Sequence, residues 1–513
     1  MIPRLVYPTL LLALSARGQQ GSVNPDVNPD ALQADMTTEN LMSHLHALQG
    51  IADANGGNRA FGMPGSQASV DYIWSQISNI PGTKVWKQDF AGNFSFSEAE
   101  LRIIGANDTA GVSVPVFAIV KSPQTPDSGI EAELIAGPEG AAACNDTSYA
   151  NLDVKGKIVL VERGACNDSD NNPIHGGRII AAARAGAAAL ITYQDTPNEV
   201  FSPELPETRP DYVPAGAINQ ADGHKLIAQL AVSGDAPVHA YFRQKQIREE
   251  RMTQNVFAET EGDPDSVIML GAHLDSVQAG PGINDNGSGV SLILELFRSV
   301  AKKYRTKNKL RFAWWAAEES IGLGSRFYCY NLTDFPAEAD SLLAYLNFDM
   351  VSRGTYHVGD GDGSTNGGRP SPPGSDVIEK LWLEYFEGIG IAAQQQKIGF
   401  DSDHFFFQEI LKKPVGFLFT GTNVTDDPCY HKACDDINNV NPEMFTTNAR
   451  VSSLLETIIN PPVSNRLANE QHHKQAAAYM AAVLAVNGTS LIPRSTLGGA
   501  KMTRSLADWG TGY

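Results

Sequence analysis

The sequence predicts an α/β protein in three layers, with helices flanking a mixed, mostly parallel sheet and a smaller β-rich α/β domain inserted into it. The chain has 513 residues, 42% of them hydrophobic and 19% charged, which is typical of a folded protein long enough for several domains. From about Val267 onwards, apolar strand-like runs alternate with helix-like runs, as they do in mostly parallel sheets. Between residues 115 and 243 the pattern changes to short β-rich runs, which indicates the insertion.

The charge balance excludes several classes of partner. Lys and Arg together number 39 and Asp and Glu 58, which gives a formal net charge of −19. A chain this acidic repels phosphate backbones and anionic membrane surfaces, so we expect no nucleic-acid partner and no membrane partner. Beyond the N-terminus there is no run of about 18 apolar residues that would predict a membrane span. The expected assembly state is a monomer.

The N-terminus has the order of features that is typical of a secretory signal peptide. Arg4 precedes the apolar residues 5–14, and small residues follow at positions 15–18. We predict a signal peptide over residues 1–18, with a buried first helix as the alternative, and hence a secreted, extracellular protein or one of a vacuole- or lysosome-like compartment. The Val-Asn-Pro-Asp repeat in residues 19–36 favours turns, so it predicts an extended arm or a removable pro-segment rather than a helix.

The cysteines indicate two local disulfides. Five cysteines are too few for a disulfide scaffold in a chain of this length. Cys144 and Cys166 lie near each other in sequence, as do Cys429 and Cys434, so each pair is expected to form a bridge. Cys329 is left over, and we expect it to be a buried thiol rather than a nucleophile.

Glycosylation sequons fit a glycoprotein of the secretory pathway. They begin at Asn93, Asn107, Asn145, Asn167, Asn286, Asn331, Asn423 and Asn487. Asn286 belongs to a motif that we expect to be buried in a site, so this sequon is predicted to stay unmodified.

The first folded elements are helical. Leu41, Leu45 and Leu48 recur with helical spacing behind a capping Thr, which predicts an amphipathic helix that ends at Gly50. A turn-rich loop over residues 55–65 follows, and then a second helix over residues 66–77. The helices and strands predicted from position 267 onwards are the runs 267–272, 289–303, 310–316, 343–348 and 415–419.

Polar residues that suit a cation follow the first of these strands. His273 and Asp275 close the strand that begins at Val267, and they point the same way because residues two apart share a face. The Gly-rich loop over residues 282–289 then opens a helix. A phosphate cradle is the alternative for this loop, but it has no Lys, and Asp285 stands where an anion would bind. The loop therefore favours a cation.

Each later strand also ends in a carboxylate or is followed by a histidine. Glu318 and Glu319 follow the strand 310–316, and Asp349 follows the strand 343–348. A solvated helix start is the alternative for the Glu pair, although unpaired charges at a buried strand end are costly. His431 lies between two cysteines, but the second Cys pair of a zinc finger is missing.

Together these residues provide two imidazoles and several carboxylates at successive strand ends. This inventory suits two divalent cations about 3.5–4 Å apart, joined by a bridging carboxylate, with a spare Glu to act on an activated water. The sequence therefore predicts two-metal hydrolysis.

The motifs resemble those of secreted and vacuolar co-catalytic zinc aminopeptidases of the aminopeptidase Y type, which have a zinc exopeptidase-like fold. The resemblance covers the turn over residues 55–65 and most of the chain from His273 to residue 436, and five motifs appear in the family's order. Residues 115–243 are similar to the protease-associated (PA) domain that some members carry; a catalytic domain that simply continues is the alternative. The implied organisation is a catalytic domain in two parts, 37–114 and 244–490, and a poorly ordered tail, 491–513.

The resemblance implies a role for each motif residue. Two Zn²⁺ per chain are expected, one held by His273 and Asp349, the other by Glu319 and His431, with Asp285 bridging them. Glu318 would be the general base, Tyr430 an oxyanion donor and Asp275 a partner that orients His273. Residues 402–407 are similar to a pocket-lining motif of the family, with core packing as the alternative for its phenylalanines. The expected substrates are peptides with a free N-terminus.

Two other functions fit part of the pattern. A carboxypeptidase or an aminoacylase-like metallohydrolase would use the same metal chemistry, but it would need a cationic clamp for a carboxylate, and Arg353 is the basic residue closest to a motif. A non-catalytic, receptor-like module would have lost its metal site. The presence of all five ligand residues together with Glu318 argues against the receptor-like module.

Overall fold

The computed structural model describes residues 24–453, apart from 106–107, 165, 167–175, 196, 198–204, 206–207, 234–235, 366–368 and 422–424. The predicted signal peptide and the predicted tail lie outside the described residues. The described chain divides into two units, which we call the main unit (up to Gly92 and from Met252 onwards) and the inserted unit (Asn93–Arg251). The predicted domain bounds themselves stay predictions. None of the helices among the described residues is long and apolar enough to cross a membrane.

Helices and strands alternate through most of the described chain. The helices are α1 (Pro29–Asp35), α2 (Thr38–Ala54), α3 (Pro64–Ile77), α4 (Gly176–Arg184), α5 (Gln220–Val232), α6 (Gly289–Lys303), α7 (Leu323–Thr333), α8 (Pro336–Ser341), α9 (Ser375–Gly388), α10 (His404–Glu409) and α11 (Pro442–Ser453). The strands are β1 (Lys84–Gly105), β2 (Asp108–Val114), β3 (Phe117–Ala118), β4 (Ile130–Ala136), β5 (Ile158–Glu162), β6 (Ala189–Tyr193), β7 (Ala215–Ile218), β8 (His239–Glu259), β9 (Asp263–His273), β10 (Asn308–Trp315), β11 (Leu342–Phe348), β12 (His357–Asp360), β13 (Gln394–Lys397) and β14 (Val415–Phe419).

The sheet of the main unit is mixed and mostly parallel, as predicted. Its strand order is β13-β12-β14-β11-β9-β10-β8. Strands β10, β9, β11 and β14 are parallel neighbours, whereas β8 pairs antiparallel with β10 and β12 pairs antiparallel with β14. The carboxyl ends of parallel strands meet at one edge of a sheet. The residues that follow β9, β10, β11 and β14 are therefore brought to the same edge.

Alternating side chains of the central strands pack against two separate helical layers. Ile268, Leu270 and Ala272 of β9 belong to a core that includes residues of α1, α2, α3, α6, α9 and α11. Val267 and Met269 of the same strand belong to a second core with α7 and α10. Because successive side chains of a strand point to opposite faces, the sheet is covered on both sides. This arrangement confirms the predicted three-layer α/β fold.

Helix α2 continues past the residue at which its end was predicted. The prediction placed the end at Gly50, but α2 runs to Ala54 and is capped at Asn55. Glycine inside a helix costs up to about 1 kcal/mol. Leu48 and Ala52 on either side are fully buried, so the extra turn packs into the core, and this burial offsets the cost of Gly50.

The segment before α2 is helical, so the expectation of an extended arm is wrong for its second half. The second Asn-Pro of the repeat starts α1, since Asn28 accepts a hydrogen bond from the Ala31 N–H and Pro29 occupies the first helical position. Leu32 is fully buried in the main core. Asp35 at the end of α1 accepts hydrogen bonds from three residues of the main unit: Lys303 (2.6 Å), Ser299 (2.6 Å) and Tyr304 (3.0 Å).

We expect the substitution Asp35→Asn to destabilise the main unit by about 1–3 kcal/mol at pH 7, since hydrogen bonds to a charged group contribute about this much. Burial raises the pKa of Asp35, but its hydrogen bonds to Lys303 and the hydroxyls outweigh that effect and lower the pKa. A carboxyl with a lowered pKa in the folded state stabilises the fold above its unfolded pKa of about 3.9. The difference between the wild type and the variant should therefore shrink as the pH falls below about 4.

Urea unfolding at several pH values measures this difference. Asp30→Asn is the matched control, since Asp30 lies in the same helix but is exposed, and its effect should stay below about 1 kcal/mol. Equal stability of Asp35→Asn and the wild type at pH 7 would show that the hydrogen bonds of Asp35 do not stabilise the main unit.

The inserted unit is a smaller α/β structure, as predicted. Its central strands β4, β5, β6 and β7 are parallel neighbours, and β8 and β3 pair antiparallel with β4 and β7. The predicted disulfide joins Cys144 to Cys166. The fully buried Arg178 donates hydrogen bonds to the carbonyl oxygens of Glu162, Gly164 and Gly140, which fixes the segment next to this bridge.

Candidate metal centre

The structure brings all five predicted metal ligands together at the carboxyl edge of the main sheet. His273 ends β9, and Asp349 directly follows β11. Glu319 lies in the turn after β10, and His431 lies in the loop after β14. Asp285 lies in a single irregular helical turn, Ile283–Ser288, that precedes α6.

The two carboxylate oxygens of Asp285 contact different histidines. Its Oδ1 lies 3.1 Å from His273 Nε2, and its Oδ2 lies 3.2 Å from His431 Nε2. His273 Nε2 is also 3.2 Å from Asp349 Oδ1, and His431 Nε2 is 3.2 Å from Glu319 Oε2. The donor atoms thus fall into two groups that share one carboxylate.

Glu318 lies beside the cluster, farther from its imidazoles than the ligand carboxylates are. Its Oε2 is 4.0 Å from His273 Nε2, and its side chain is 17% exposed. Its position is set through the backbone, because Asp275 accepts hydrogen bonds from the N–H groups of Glu318 (2.9 Å) and Glu319 (3.3 Å). Asp275 contacts His273 as well, with its carbonyl oxygen 3.1 Å and its Oδ1 3.8 Å from Nδ1. The carboxylate therefore orients the Glu pair more directly than it orients His273.

Tyr430 packs face to face on His431, with ring centroids 3.8 Å apart. The two residues lie inside the small loop closed by the Cys429–Cys434 disulfide, which was predicted from the sequence. Cys329, predicted to be a buried thiol, is fully buried in the second core and unpaired. Burial raises the pKa of this thiol well above its ordinary value, which fits an inert side chain.

The cluster carries more negative than positive charge. Burial raises the pKa of Glu319 to about 7, and the charge of Asp285 adds to the rise. Burial lowers the pKa of His273, but the charge of Asp349 and the hydrogen bonds with Asp285 and Asp349 outweigh it and hold the pKa well above its ordinary value. As for Glu319, burial raises the pKa of Glu318, in this case well above its ordinary value. So many carboxylates in one buried place call for a compensating cation.

The residues fit a divalent cation such as zinc. One donor atom each from His273, Asp285 and Glu319 lies within 4.8 Å of the others. Imidazole nitrogens and carboxylate oxygens are common zinc ligands. Glu319 Oε1 is buried and has no hydrogen-bond partner, which leaves it free to bind a metal.

Several residues that orient the ligands were not predicted. Ser402 Oγ donates to Asp349 Oδ2 (2.6 Å), and a chain of hydrogen bonds runs behind it to Asn347 and Tyr345. The fully buried Arg59 donates to the carbonyl oxygens of Leu274, Pro281 and Gly282, which joins the end of β9 to the loop before Asp285. Arg59 lies in the turn over residues 55–65, which the family resemblance covers, and this position is the feature of the sequence that could have indicated its role.

The phenylalanines of the predicted pocket-lining motif have different surroundings. Phe407 is fully buried and stacks on Tyr345 with centroids 3.8 Å apart, so core packing accounts for it. Phe405 is partly buried and forms an edge contact with Phe400, a residue that is 42% exposed. The neighbouring Asp403 is fully buried.

Two family models match the chain. The model of peptidase family M28 matches residues 255–455, which contain every predicted ligand. The model of the PA domain matches residues 130–226, inside the inserted unit.

Curated relatives match over most of their own length. The chain is 36% identical to leucine aminopeptidase 2 of Trichophyton rubrum over 448 residues, which cover 83% of this chain and 85% of the relative. It is 33% identical to the probable lipoprotein aminopeptidase LpqL of Mycobacterium tuberculosis, over 80% of this chain and 82% of the relative.

Solved structures share the fold. An aminopeptidase from Aneurinibacillus sp. strain AM-1 matches with a TM-score of 0.56 and 25% identity, over 84% of this chain and 96% of that chain. A zinc aminopeptidase from Bacillus subtilis shares the fold with a TM-score of 0.58 and 24% identity, over 82% of this chain and 95% of that chain. The M28 and PA matches together with the aminopeptidase relatives show that the chain belongs to peptidase family M28, as an aminopeptidase with an inserted PA domain.

Proposed function

We propose that this protein is a secreted aminopeptidase that binds two Zn²⁺ and removes N-terminal residues from peptides, with Glu318 as the general base. The observation that carries the proposal is the division of the donor atoms into two groups by Asp285. His273, Asp349 and Asp285 Oδ1 would hold one zinc, and Glu319, His431 and Asp285 Oδ2 would hold the other. A shared carboxylate is the feature expected of a two-metal hydrolase.

Bound zinc would acidify water and polarise the carbonyl group of the scissile peptide bond. The chain's own residues would then move the protons. Glu318 takes a proton from the attacking water as the carbonyl carbon is attacked, and it later delivers this proton to the departing amine. Its side chain is suited to this role because it faces the cluster but lies 4.0 Å from His273 Nε2, beyond hydrogen-bond distance of that ligand.

Tyr430 is proposed to stabilise the oxygen of the tetrahedral intermediate. A tyrosine hydroxyl is protonated at neutral pH and donates a hydrogen bond to an oxygen that is becoming negative. Stacking on His431 and the Cys429–Cys434 bridge restrict the position of the ring. A fixed donor stabilises a developing charge without first having to reorganise.

Secretion is supported by the two disulfides, because disulfides persist in oxidising compartments. It is also supported by the signal-peptide pattern of residues 1–18 and by the exposed sequon asparagines Asn93 and Asn145. The sequon at Asn286 is fully buried and bonds to Phe348 O, so a glycan there is incompatible with the folded site.

The free N-terminus of a peptide is the proposed point of recognition. Arg59 and Arg353 both donate to main-chain carbonyl groups, Arg59 to those of Pro281 and Gly282 and Arg353 to that of Asn439. Neither is arranged as a clamp for a C-terminal carboxylate, which disfavours a carboxypeptidase. The names of the Trichophyton relatives support leucine-like residues as the released residues.

Chelation and substrate blocking test this function. A chelator should abolish release of the chromophore from leucine p-nitroanilide, and added zinc should restore it. The N-acetylated substrate should remain uncleaved, because the proposal requires a free amine. Activity that survives removal of all bound metal, or hydrolysis of the blocked substrate at a similar rate, would contradict the proposal.

A further inference from the structure

A buried polar contact joins the two loops that carry Asp285 and His431. Asp435 is 2% exposed and follows Cys434 at the end of the disulfide loop. Its Oδ1 accepts a hydrogen bond from the N–H of Asn284 (2.9 Å), and its Oδ2 accepts one from the N–H of Asp285 itself (2.9 Å). Its carbonyl oxygen also accepts from the Ile283 N–H (2.9 Å). One residue thus binds three successive N–H groups of the turn that presents Asp285.

The other end of the disulfide loop is attached to the same turn. Asp427 is 1% exposed; its Oδ2 accepts from Asn284 Nδ2 (2.7 Å), and its Oδ1 accepts from the Cys429 N–H (2.9 Å). Asn439 Nδ2 lies between the two carboxylates, 3.0 Å from Asp435 Oδ1 and 3.1 Å from Asp427 Oδ1. The loop that carries His431 is therefore held on both sides against the turn that carries Asp285.

The contact between the disulfide loop and the Asp285 turn affects the group that contains His431 more than the group that contains His273. His273 and Asp349 are held by β9 and β11, which are neighbours in the sheet. His431 lies in a loop, and its partner Asp285 lies in an irregular turn, so their 3.2 Å separation depends on how these two segments are joined. Loosening the contact between these two segments would leave His273 and Asp349 in place, so the first group would keep two of its three donors. In the second group both Asp285 and His431 would shift.

We propose that Asp435 is a positioning residue that fixes the position of Asp285 relative to His431. It would therefore raise the affinity for the zinc bound by Glu319 and His431 more than the affinity for the zinc bound by His273 and Asp349. The proposal rests on the two-zinc function proposed above. A carboxylate is required at this position because two adjacent N–H donors need two acceptors. Asparagine would present an NH₂ donor to one of them. Asp275 binds the N–H groups of Glu318 and Glu319 in the same way, on the other side of the centre.

The test compares zinc binding by the wild type, Asp435→Asn and Asp436→Asn. Asp436 is the matched control, since it is the next residue, and its side chain caps a short 3-10 helix through the Asn438 N–H without touching the Asp285 turn. Competition with a chelator against zinc chloride gives the affinity of each site. For Asp435→Asn we expect one of the two affinities to fall about 10- to 100-fold and the other to change much less, because residues behind metal ligands usually contribute this much.

Each outcome bears on a separate claim. Wild-type affinities in Asp435→Asn, or an equal fall at both sites, would overturn the positioning role. Binding of a single zinc by the wild-type protein would instead overturn the two-zinc proposal. If Asp435→Asn does not fold, Asn439→Ala serves in its place, since it removes the amide that links Asp435 Oδ1 to Asp427 Oδ1 and so loosens the contact between the disulfide loop and the Asp285 turn. A fall of about 10-fold at one site would then support the role, and unchanged affinities would overturn it.

Discussion

The substitution Glu318→Gln is expected to lower kcat about 10²- to 10⁴-fold, the usual contribution of a general acid–base residue, while the zinc content stays at that of the wild type. Gln has nearly the same shape as Glu but cannot accept and return a proton. The Glu318 side chain lies beside the ligand groups, and its N–H bond to Asp275 does not involve the side chain, so the local fold should be preserved. Steady-state kinetics on leucine p-nitroanilide and metal analysis of the same sample give both readouts.

Two variants separate the role of the base from that of a ligand. Glu384→Gln alters an exposed residue of α9 and should leave both readouts unchanged. Glu319→Gln removes a charge from a donor that contacts His431, so it should lower the zinc content as well as the rate. A Glu318→Gln enzyme with nearly normal kcat would rule out the base assignment, and one that had lost zinc would identify Glu318 as a ligand.

The residues of the candidate metal centre that lie at strand ends could be predicted from the sequence. His273, Glu319 and Asp349 each follow an apolar run, and the direction of parallel strands places such residues at one edge without further information. Helix α6 and strand β14 have the predicted bounds, because each is a continuous apolar or amphipathic run between clear breaks. For these elements, local pattern and tertiary packing favour the same structure.

Other features depend on contacts that no local pattern encodes. Strand β13 consists of Gln and Lys at the edge of the sheet and has no apolar alternation to indicate a strand. The role of Asp435 depends on backbone N–H groups that lie 150 residues away in sequence, and almost any residue could supply those donors. Residues 29–35 were expected to be extended because Asn-Pro favours turns, whereas the same pair also caps a helix when the segment packs on a core.

Asp285→Asn is expected to have the largest effect on metal binding. Asp285 is the residue whose two oxygens contact both histidines, so one substitution weakens both groups of donors. Asparagine offers a single uncharged acceptor oxygen, and its amide nitrogen would face one of the two histidines in place of a carboxylate oxygen. The loss of zinc affinity should therefore exceed the about 10- to 100-fold that is typical of residues behind the ligands. Metal analysis after dialysis against a weak chelator should find less zinc in the variant than in the wild type, and kcat/KM should fall in parallel.

Thermal unfolding gives a second readout that does not depend on turnover. A ligand that binds only the folded state at about 1,000 times its Kd stabilises that state by about 4 kcal/mol. Zinc should therefore raise the Tm of the wild-type protein, whereas the Tm of Asp285→Asn should respond much less at the same zinc concentration. Asp53→Asn, on the exposed side of α2, controls for a general loss of charge and should respond like the wild type. A zinc-dependent rise in the Tm of Asp285→Asn as large as in the wild type would mean that this carboxylate does not bridge the metals, because a bridging ligand cannot be lost without weakening both of the sites that it joins.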